Sequence, residues 1–286
     1  PETGLPVVPS RFGWTKVFAE EILAIAREND SVVGITAAMQ APVGLNLLSE
    51  AYPQRVIDVG IAEQHALTMA AGMAFAGMHP VVALYATFLN RAYDQLLMDV
   101  AMHRAPVTVV LDRAGITGAD GASHNGMWDI AMAAMIPGMR LAAPRDEATL
   151  RSQLRQAVAI DDGPSLVRYR KGSMPAPIEA LESLEGMDWL YRSHKQGTGK
   201  RVLLVAAGAM AEPTLAAAAQ LEALGYVPDV IDPCWLLPIN PALVELTRGY
   251  DLVVSAEDGL VDGGFGSALR DQMELAKLFV PTVRIG

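Results

Sequence analysis

Short apolar segments alternate along the sequence with longer segments of helical periodicity, and this alternation limits the folds available to the chain. In the first two thirds the apolar segments lie at 32–36, 56–59, 81–85, 107–112 and 166–169. They are mostly apolar and do not alternate with polar residues, which is typical of strands covered on both faces of a sheet. Helices are predicted at 14–28, 62–76, 88–103 and 145–160. Strand–helix–strand order with right-handed crossovers predicts an α/β fold with a mainly parallel sheet.

The alternation is interrupted once, over residues 172–200, where Gly and Pro are frequent among polar residues. A second series follows, with strands predicted at 202–207, 227–231, 252–256 and 282–285 and helices at 213–224, 241–247 and 266–278. The length of 286 residues is enough for two separate cores. We therefore expect two α/β domains, each a mainly parallel sheet flanked by helices, at 13–175 and 200–286. Residues 1–12 and 176–199 are predicted to be linkers.

Composition excludes several classes of function. A formal net charge of −10 makes nucleic acid an unsuitable partner, because phosphate binding needs concentrated Lys and Arg. The longest stretches without charged residues, 31–49 and 66–90, are broken by Gly and Pro, so we expect no membrane span. The first residues lack the basic-then-apolar order of a secretory signal. A single cysteine, Cys234, fits a reducing compartment, and we expect a cytoplasmic protein.

The predicted helix at 62–76 is apolar nearly all round after its first turn, which indicates burial in a large core or in an interface. Its ionisable residues, Glu63 and His65, stand at its start, where the helix dipole favours an anion. Acidic residues are common at this position for structural reasons alone. Glu63 therefore does not by itself identify a site.

A glycine-rich loop at 112–126, DRAGITGADGASHNG, follows the strand at 107–112. Ligands of open α/β sheets bind outside the carboxyl ends of the strands, where this loop is expected. Arg113 offers a planar fork for phosphate or carboxylate, and His124 can exchange protons near neutral pH. With Asp120, three reactive residue types in one loop favour a functional site over a solvated turn.

Other candidates remain open between a structural and a functional interpretation. Met39 is either a core residue or a pocket wall. Phe88, with Tyr85 and Arg91 nearby, either fills the core or stacks on a flat cofactor ring. Lys171 at another strand end either pairs with an anion or is a solvated charge.

Motifs for metals and nucleotides are absent from the sequence. It has no P-loop, GxGxxG, HExxH or paired CxxC motif, and its five histidines lack metal-ligand spacing, so no metal site is expected on this chain. The segment GLVDGGFGS at 259–267 precedes a helix and could cradle a phosphate. Close packing of strand against helix explains its glycines equally well.

Four segments together resemble the 1-deoxy-D-xylulose-5-phosphate synthase family of transketolase-like enzymes, particularly its actinobacterial members: DVGIAEQHALTMAAGMAFAG, VALYATFLNRAYDQLLMDVA, LDRAGITGADGASHNGMWD and PSLVRYRKG. The resemblance covers the pyrimidine-binding domain and the transketolase C-terminal domain. It implies a thiamine diphosphate-dependent transferase that decarboxylates pyruvate and condenses it with glyceraldehyde 3-phosphate. The product feeds isoprenoid, thiamine and pyridoxal biosynthesis.

The resemblance also implies roles for particular residues. Glu63 matches the catalytic glutamate that hydrogen-bonds the pyrimidine nitrogen N1′ of the cofactor, and Phe88 matches the aromatic residue stacked on that ring, with Met39 and Ile61 as pocket neighbours. The positions that bind or organise substrate are matched by Tyr85, Arg91, Arg113, Asp120, His124 and Lys171. Arg113 and Lys171 would hold the phosphate of the aldehyde. His124, as a second catalytic residue, and Asp120 would serve its reacting end.

Three departures from the family pattern stand out. The family commonly has Arg at Lys171, where Lys keeps the charge but loses the bidentate fork. It usually has basic residues at Cys234 and Leu237. The GDG…N motif that holds diphosphate and Mg²⁺ in the family is absent, so we expect those ligands on a separate diphosphate-binding domain or subunit.

Several alternatives stay open at this point. The chain is expected to be inactive alone and to form a homodimer, either as a fragment or as one component of a split enzyme. Its function could instead be that of a transketolase C-terminal subunit or of the beta subunit of a 2-oxo-acid dehydrogenase. A non-catalytic degenerate homologue is a further alternative.

Overall fold

The computed structural model describes residues 13–194 and 199–286. The first α/β unit contains six strands, which are numbered here in sequence order. The strands are β1 (Val32–Thr36), β2 (Val56–Asp58), β3 (His79–Tyr85), β4 (Thr108–Ala114), β5 (Arg140–Ala142) and β6 (Ser165–Arg170). The helices are α1 (Gly13–Glu28), α2 (Asn46–Ala51), α3 (Glu63–Phe75), α4 (Tyr93–Gln95), α5 (Asp129–Ala134) and α6 (Glu147–Val158).

These six strands pair in parallel in the order β5-β6-β4-β3-β1-β2. All residues of β1 and β3 are buried, which agrees with their mainly apolar sequence, because helices cover both faces of the sheet. The loops that follow β3, β4 and β6 therefore emerge at one edge, where the carboxyl ends of the strands meet. That edge carries the candidate site.

The second unit contains the strands β7 (Glu182–Leu184), β8 (Met187–Arg192), β9 (Arg201–Ala206), β10 (Val227–Asp232), β11 (Trp235–Leu237), β12 (Leu252–Ala256) and β13 (Thr282–Ile285). Its helices are α7 (Ala211–Ala223), α8 (Pro241–Thr247) and α9 (Phe265–Leu275). Six of the strands form a sheet in the order β13-β12-β9-β10-β8-β7. The predicted fold class, two mainly parallel sheets flanked by helices, is confirmed.

The segment 176–199, predicted as a linker, contains the antiparallel hairpin β7–β8, and β8 is hydrogen-bonded to β10. The linker interpretation is therefore wrong for these strands. β7 is exposed at all three residues, so it carries no apolar pattern from which a strand could be recognised. The predicted linker at 1–12 lies outside the described residues.

The two units share a sheet and a buried ion cluster. Strand β11, from the second unit, pairs antiparallel with β5 at the edge of the first sheet. Nearby, Nη1 of Arg145 lies 2.6 Å from Oδ2 of Asp188 and 2.8 Å from Oδ2 of Asp232. Arg145 and Asp232 are both buried, so the first unit is joined to the second through paired charges as well as backbone bonds.

Over residues 88–103, where a single helix was predicted, the structure shows three shorter helical segments. A 3₁₀ segment covers Ala86–Ala92, α4 follows, and a π-helical turn covers Leu96–Ala101. Phe88 lies in the 3₁₀ segment and stacks on Tyr85 at the end of β3. Among the described helices, none has both the length and the apolar content needed to cross a membrane.

Candidate active site

Glu63 is the first residue of α3, and its side chain is buried rather than solvated. Its exposed fraction is 2%, and within the described residues Oε2 accepts no hydrogen bond. Within the same described residues Glu63 has one ion pair, with Arg91, whose Nε lies 3.3 Å from Oε2. A buried carboxylate oxygen without a hydrogen-bond donor is costly, and such groups in native proteins call for an explanation. The geometry fits a carboxylate that accepts a donor from a ligand.

Three aromatic rings gather at the ends of β3 and of the loop after β4. Tyr85 and Phe88 stack at 5.9 Å between centroids with an angle of 18° between the rings. The His124 ring meets Phe88 edge-on at 5.7 Å. Oγ of Ser123 lies 3.1 Å from Nδ1 of His124, which leaves Nε2 as the ring nitrogen without this contact.

A charged cluster adjoins the aromatic rings. Oδ2 of Asp120 receives bonds from Nη1 of Arg113 at 3.2 Å and from Nζ of Lys171 at 2.6 Å. The hydrogen bond from Lys171 is the main reason why the pKa of Asp120 lies below its ordinary value. Two cations thus share one carboxylate, which leaves the cluster with a net positive charge suited to an anion. The guanidinium of Arg113 lies 3.8 Å from the Tyr85 ring centroid, so the charged cluster contacts the aromatic rings through Arg113.

The backbone at Arg113 explains how its side chain reaches this position. Its φ is +64°, which is uncommon for a residue other than glycine, and the register of β4 against β6 changes between Asp112 and Ala114. A residue in this conformation has to be held there by its surroundings.

Asp112, directly before Arg113, was not selected from the sequence. It is 2% exposed, accepts a 2.5 Å hydrogen bond from Oγ1 of Thr15 on α1, and burial raises its pKa to about 7. The available signal was a carboxylate at the end of the mainly apolar segment predicted as a strand at 107–112. It lies beneath the charged cluster, and Lys171 and Arg113 act on it electrostatically.

The remaining candidates are distributed around this site. Arg91 contacts Glu63 and not the cluster of Arg113 and Lys171. Met39 is buried in the core of the first unit. Ile61 is 79% exposed, two residues before Glu63. The roles assigned to these residues stay predictions.

The glycine-rich segment at 259–267 is not arranged as a phosphate cradle. The buried carboxylate of Glu257 accepts bonds from the backbone N–H groups of Phe265 and Gly266 at 2.7 and 2.9 Å, which occupies the start of α9. A Cβ on Gly266 would lie 2.1 Å from Oγ of Ser255. Close packing therefore accounts for this glycine.

Cys234 and Leu237, the two positions that depart from the family pattern, lie where the units join. Leu237 belongs to β11, and the Cys234 carbonyl accepts a bond from Gln153 of α6. No group of three or more His, Cys, Asp or Glu residues in the described ranges could hold a metal ion. The expectation of Mg²⁺ ligands on another domain stays a prediction.

A sheet of this order, with a buried glutamate at the start of the helix before β3, defines a two-domain α/β protein of the transketolase type. The chain belongs to the family of the transketolase pyrimidine binding domain, whose model matches residues 10–177. The model of the transketolase C-terminal domain matches residues 192–286.

Relatives of known name are similar to the chain over nearly its whole length. The 1-deoxy-D-xylulose-5-phosphate synthase of Renibacterium salmoninarum is 58% identical over 96% of this chain and 42% of that protein. The proteins of the same name from Frankia casuarinae and Mycobacteroides abscessus are 53% and 51% identical. The chain thus spans less than half the length of these relatives.

Two solved structures are similar in fold. One is described as a split gene transketolase, inactive beta4 tetramer; its TM-score is 0.82 at 28% identity, with 96% of this chain and 89% of that chain covered. The transketolase of Campylobacter jejuni has a TM-score of 0.75 at 17% identity, and 99% of this chain and 43% of that chain are covered.

Proposed function

We propose that the chain supplies the pyrimidine side of a thiamine diphosphate site in an enzyme that condenses pyruvate, with loss of CO₂, and glyceraldehyde 3-phosphate to 1-deoxy-D-xylulose 5-phosphate. The observation that carries the proposal is Oε2 of Glu63, buried without a hydrogen-bond donor among the described residues. Relatives named for this synthase, 50–58% identical, support the choice of reaction.

The residues around Glu63 fit the aminopyrimidine of thiamine diphosphate. In the bound state the cofactor supplies an acidic carbon that becomes the nucleophile of the reaction. Oε2 of Glu63 would hold a proton at the ring nitrogen N1′, and burial would make that one hydrogen bond strong. Phe88, half-buried and on the same 3₁₀ segment as Arg91, would offer a flat apolar ring to the pyrimidine. Arg91 limits the positions open to the Glu63 carboxylate.

The charged cluster binds the aldehyde substrate in this proposal. Arg113 and Lys171 hold the phosphate, because they are the two cations that share Asp120. Nε2 of His124 moves a proton at the carbonyl oxygen of the aldehyde. Thus the phosphate determines the orientation of the aldehyde, and the imidazole meets its reacting end.

A partner is also part of the proposal. Large apolar side chains are exposed on and around α3, which is unusual for a surface meant for water; they are Ile61, Phe75, Met78, Met98 and Met102. We assign this surface to a diphosphate-binding domain or subunit that brings Mg²⁺ ligands, within a homodimeric assembly. The predicted inactivity of the chain alone follows from this division of the site.

One alternative is favoured by a specific observation. The split gene transketolase has about the same extent as this chain and a TM-score of 0.82, so a transketolase subunit is the second candidate. Assays with pyruvate plus glyceraldehyde 3-phosphate, compared with ketose donors, distinguish the two. Turnover of ketose donors without turnover of pyruvate would establish the second candidate.

The role of Glu63 is tested with Glu63→Gln in the chain assembled with its diphosphate-binding domain. Exchange of deuterium at C2 of thiamine diphosphate should slow about 10²-fold or more, as expected when a positioned proton-transfer group is lost. The exposed Glu50→Gln is the control and should exchange at the normal rate. An unchanged exchange rate in Glu63→Gln, with the thermal unfolding midpoint preserved, would rule out this role.

A further inference from the structure

The loop that carries Asp120 and His124 is closed at its base by a backbone bridge. The N–H of Gly115 donates to the carbonyl of Gly126 at 3.0 Å, and the N–H of Gly126 donates to the carbonyl of Gly115 at 2.8 Å. A Cβ on Gly126 would lie 2.4 Å from Cβ of Ala86, so the bridge is packed tightly against the first unit. The positions of the Asp120 and His124 side chains therefore depend on the position of the bridge between Gly115 and Gly126.

On its other side the base is packed against the second unit. The carboxylate of Asp258 touches Gly115 so closely that a Cβ there would lie 2.0 Å from Oδ2. Two residues on, the N–H of Leu260 donates to the carbonyl of Met127 at 2.9 Å. Both contacts come from the short connection between β12 and α9.

The connection is itself held by a buried arginine. Arg168 of β6 donates from Nη2 to the Asp258 carbonyl and from Nε to Oδ2 of Asp129, both at 2.7 Å. Asp129 begins α5, directly after the loop. The Arg168 side chain therefore connects the second unit to Asp129, which follows the loop in the sequence.

We propose that the second domain holds the aldehyde-binding loop in place, with Asp258 and Arg168 as positioning residues that act through Gly115 and Asp129. This assignment rests on the proposed function for the nature of the substrate. It gives the second domain a part in the site that is independent of any ligand contact. Rigid support of this kind matters because small displacements of binding groups from their productive geometry slow reactions strongly.

The holding contact is tested first without catalysis, by hydrogen–deuterium exchange of the whole chain. Asp258→Ala should speed exchange in the loop at the bridging amides of Gly115 and Gly126 about tenfold, as local opening becomes easier. Asp258→Asn fills the same space and should restore slow exchange. Asp262→Ala, an exposed residue of the same connection, is the matched control. Unchanged exchange in Asp258→Ala, or faster exchange throughout the chain, overturns the proposal.

A second variant acts by a different route. A side chain at Gly259 would meet Cδ1 of Ile130 at 3.3 Å and the Met127 carbonyl at 3.4 Å. Gly259→Val should therefore push the connection away from the loop and reproduce the exchange pattern of Asp258→Ala. A pattern confined to α9 would contradict the proposed contact.

Kinetics of the chain assembled with its diphosphate-binding domain then test the positioning role. Asp258→Ala should raise the KM for glyceraldehyde 3-phosphate about tenfold, with the KM for pyruvate within about twofold, because only the aldehyde contacts the loop. Equal effects on both substrates, or none, would overturn the role. If the unsubstituted assembly does not turn over, the proposed function fails, while the exchange experiment still decides whether the second domain holds the loop.

Discussion

Replacing Asp112 with Asn should make the stability of the chain less sensitive to pH. Burial raises the pKa of the Asp112 carboxyl from 3.8 to about 7, and the hydrogen bond from Thr15 with the Arg113 charge lowers it only in part. The folded state therefore binds a proton that the unfolded state has released between these two pH values. Stability from this group is full below pH 3.8 and is lost as the pH rises through about 7.

The size of the effect follows from the two pKa values. A tenfold difference in proton binding corresponds to about 1.4 kcal/mol, so ionising Asp112 in the folded state costs about 4 kcal/mol at high pH. Much of that loss, about 2.5 kcal/mol, falls between pH 5 and pH 8. Asn at this position has an oxygen that can accept the bond from Thr15 and no charge to bury. We therefore expect Asp112→Asn to gain about 2.5 kcal/mol relative to the natural chain between these pH values.

Urea unfolding of both chains at pH 5 and pH 8 measures this difference directly. Other groups with raised pKa values, such as Asp232 and Glu257, titrate in both chains and cancel in the comparison. The exposed Asp262→Asn should show the same offset at both pH values. A constant difference between the natural chain and Asp112→Asn would mean that Asp112 titrates normally and would refute the reasoning.

Two further predictions concern the charged groups. In the assembled enzyme, Lys171→Ala should raise the KM for glyceraldehyde 3-phosphate far more than that for pyruvate, whereas Lys171→Arg should lower it by restoring a bidentate fork; equal changes for both substrates in steady-state assays would contradict phosphate binding. Arg145→Met leaves the buried Asp232 without its cation and should lower the free energy of unfolding by about 3–5 kcal/mol, since removing one partner strands a buried charge. Urea unfolding checks this, and a loss below about 1 kcal/mol, as for an exposed pair, would show that the cluster is solvated.

The sequence allowed the main strands and the position of Glu63 to be predicted because both depend on local patterns. Strands such as β1 and β12 have the bounds that were predicted, since a mainly apolar run leaves a clear signal. The three-residue strand β11, enclosed by Pro233 and Pro238, is too short for any periodicity. Its partner β5 is equally short.

Within the candidate site, residues of one loop could be grouped from sequence, but contacts between loops could not. Asp120 and His124 were recognised because they share a glycine-rich segment. The contact of Asp120 with Lys171 joins the loop after β4 to the residue that follows β6, 51 residues further on, and a shared sheet edge was the sole clue. Asp258 was missed because its role arises from packing against Gly115, which no local pattern records.

Strand β11 has a consequence for how the protein can be divided. An unpaired strand edge presents free N–H and C=O groups that recruit other chains, and folded proteins keep such edges covered. A cut near residue 177, where the first family region ends, would remove the strand that covers β5. The isolated first unit would then expose the unpaired edge of β5 and would self-associate through it. The boundary of the first family region is therefore not a position at which the chain can be divided into two self-contained units.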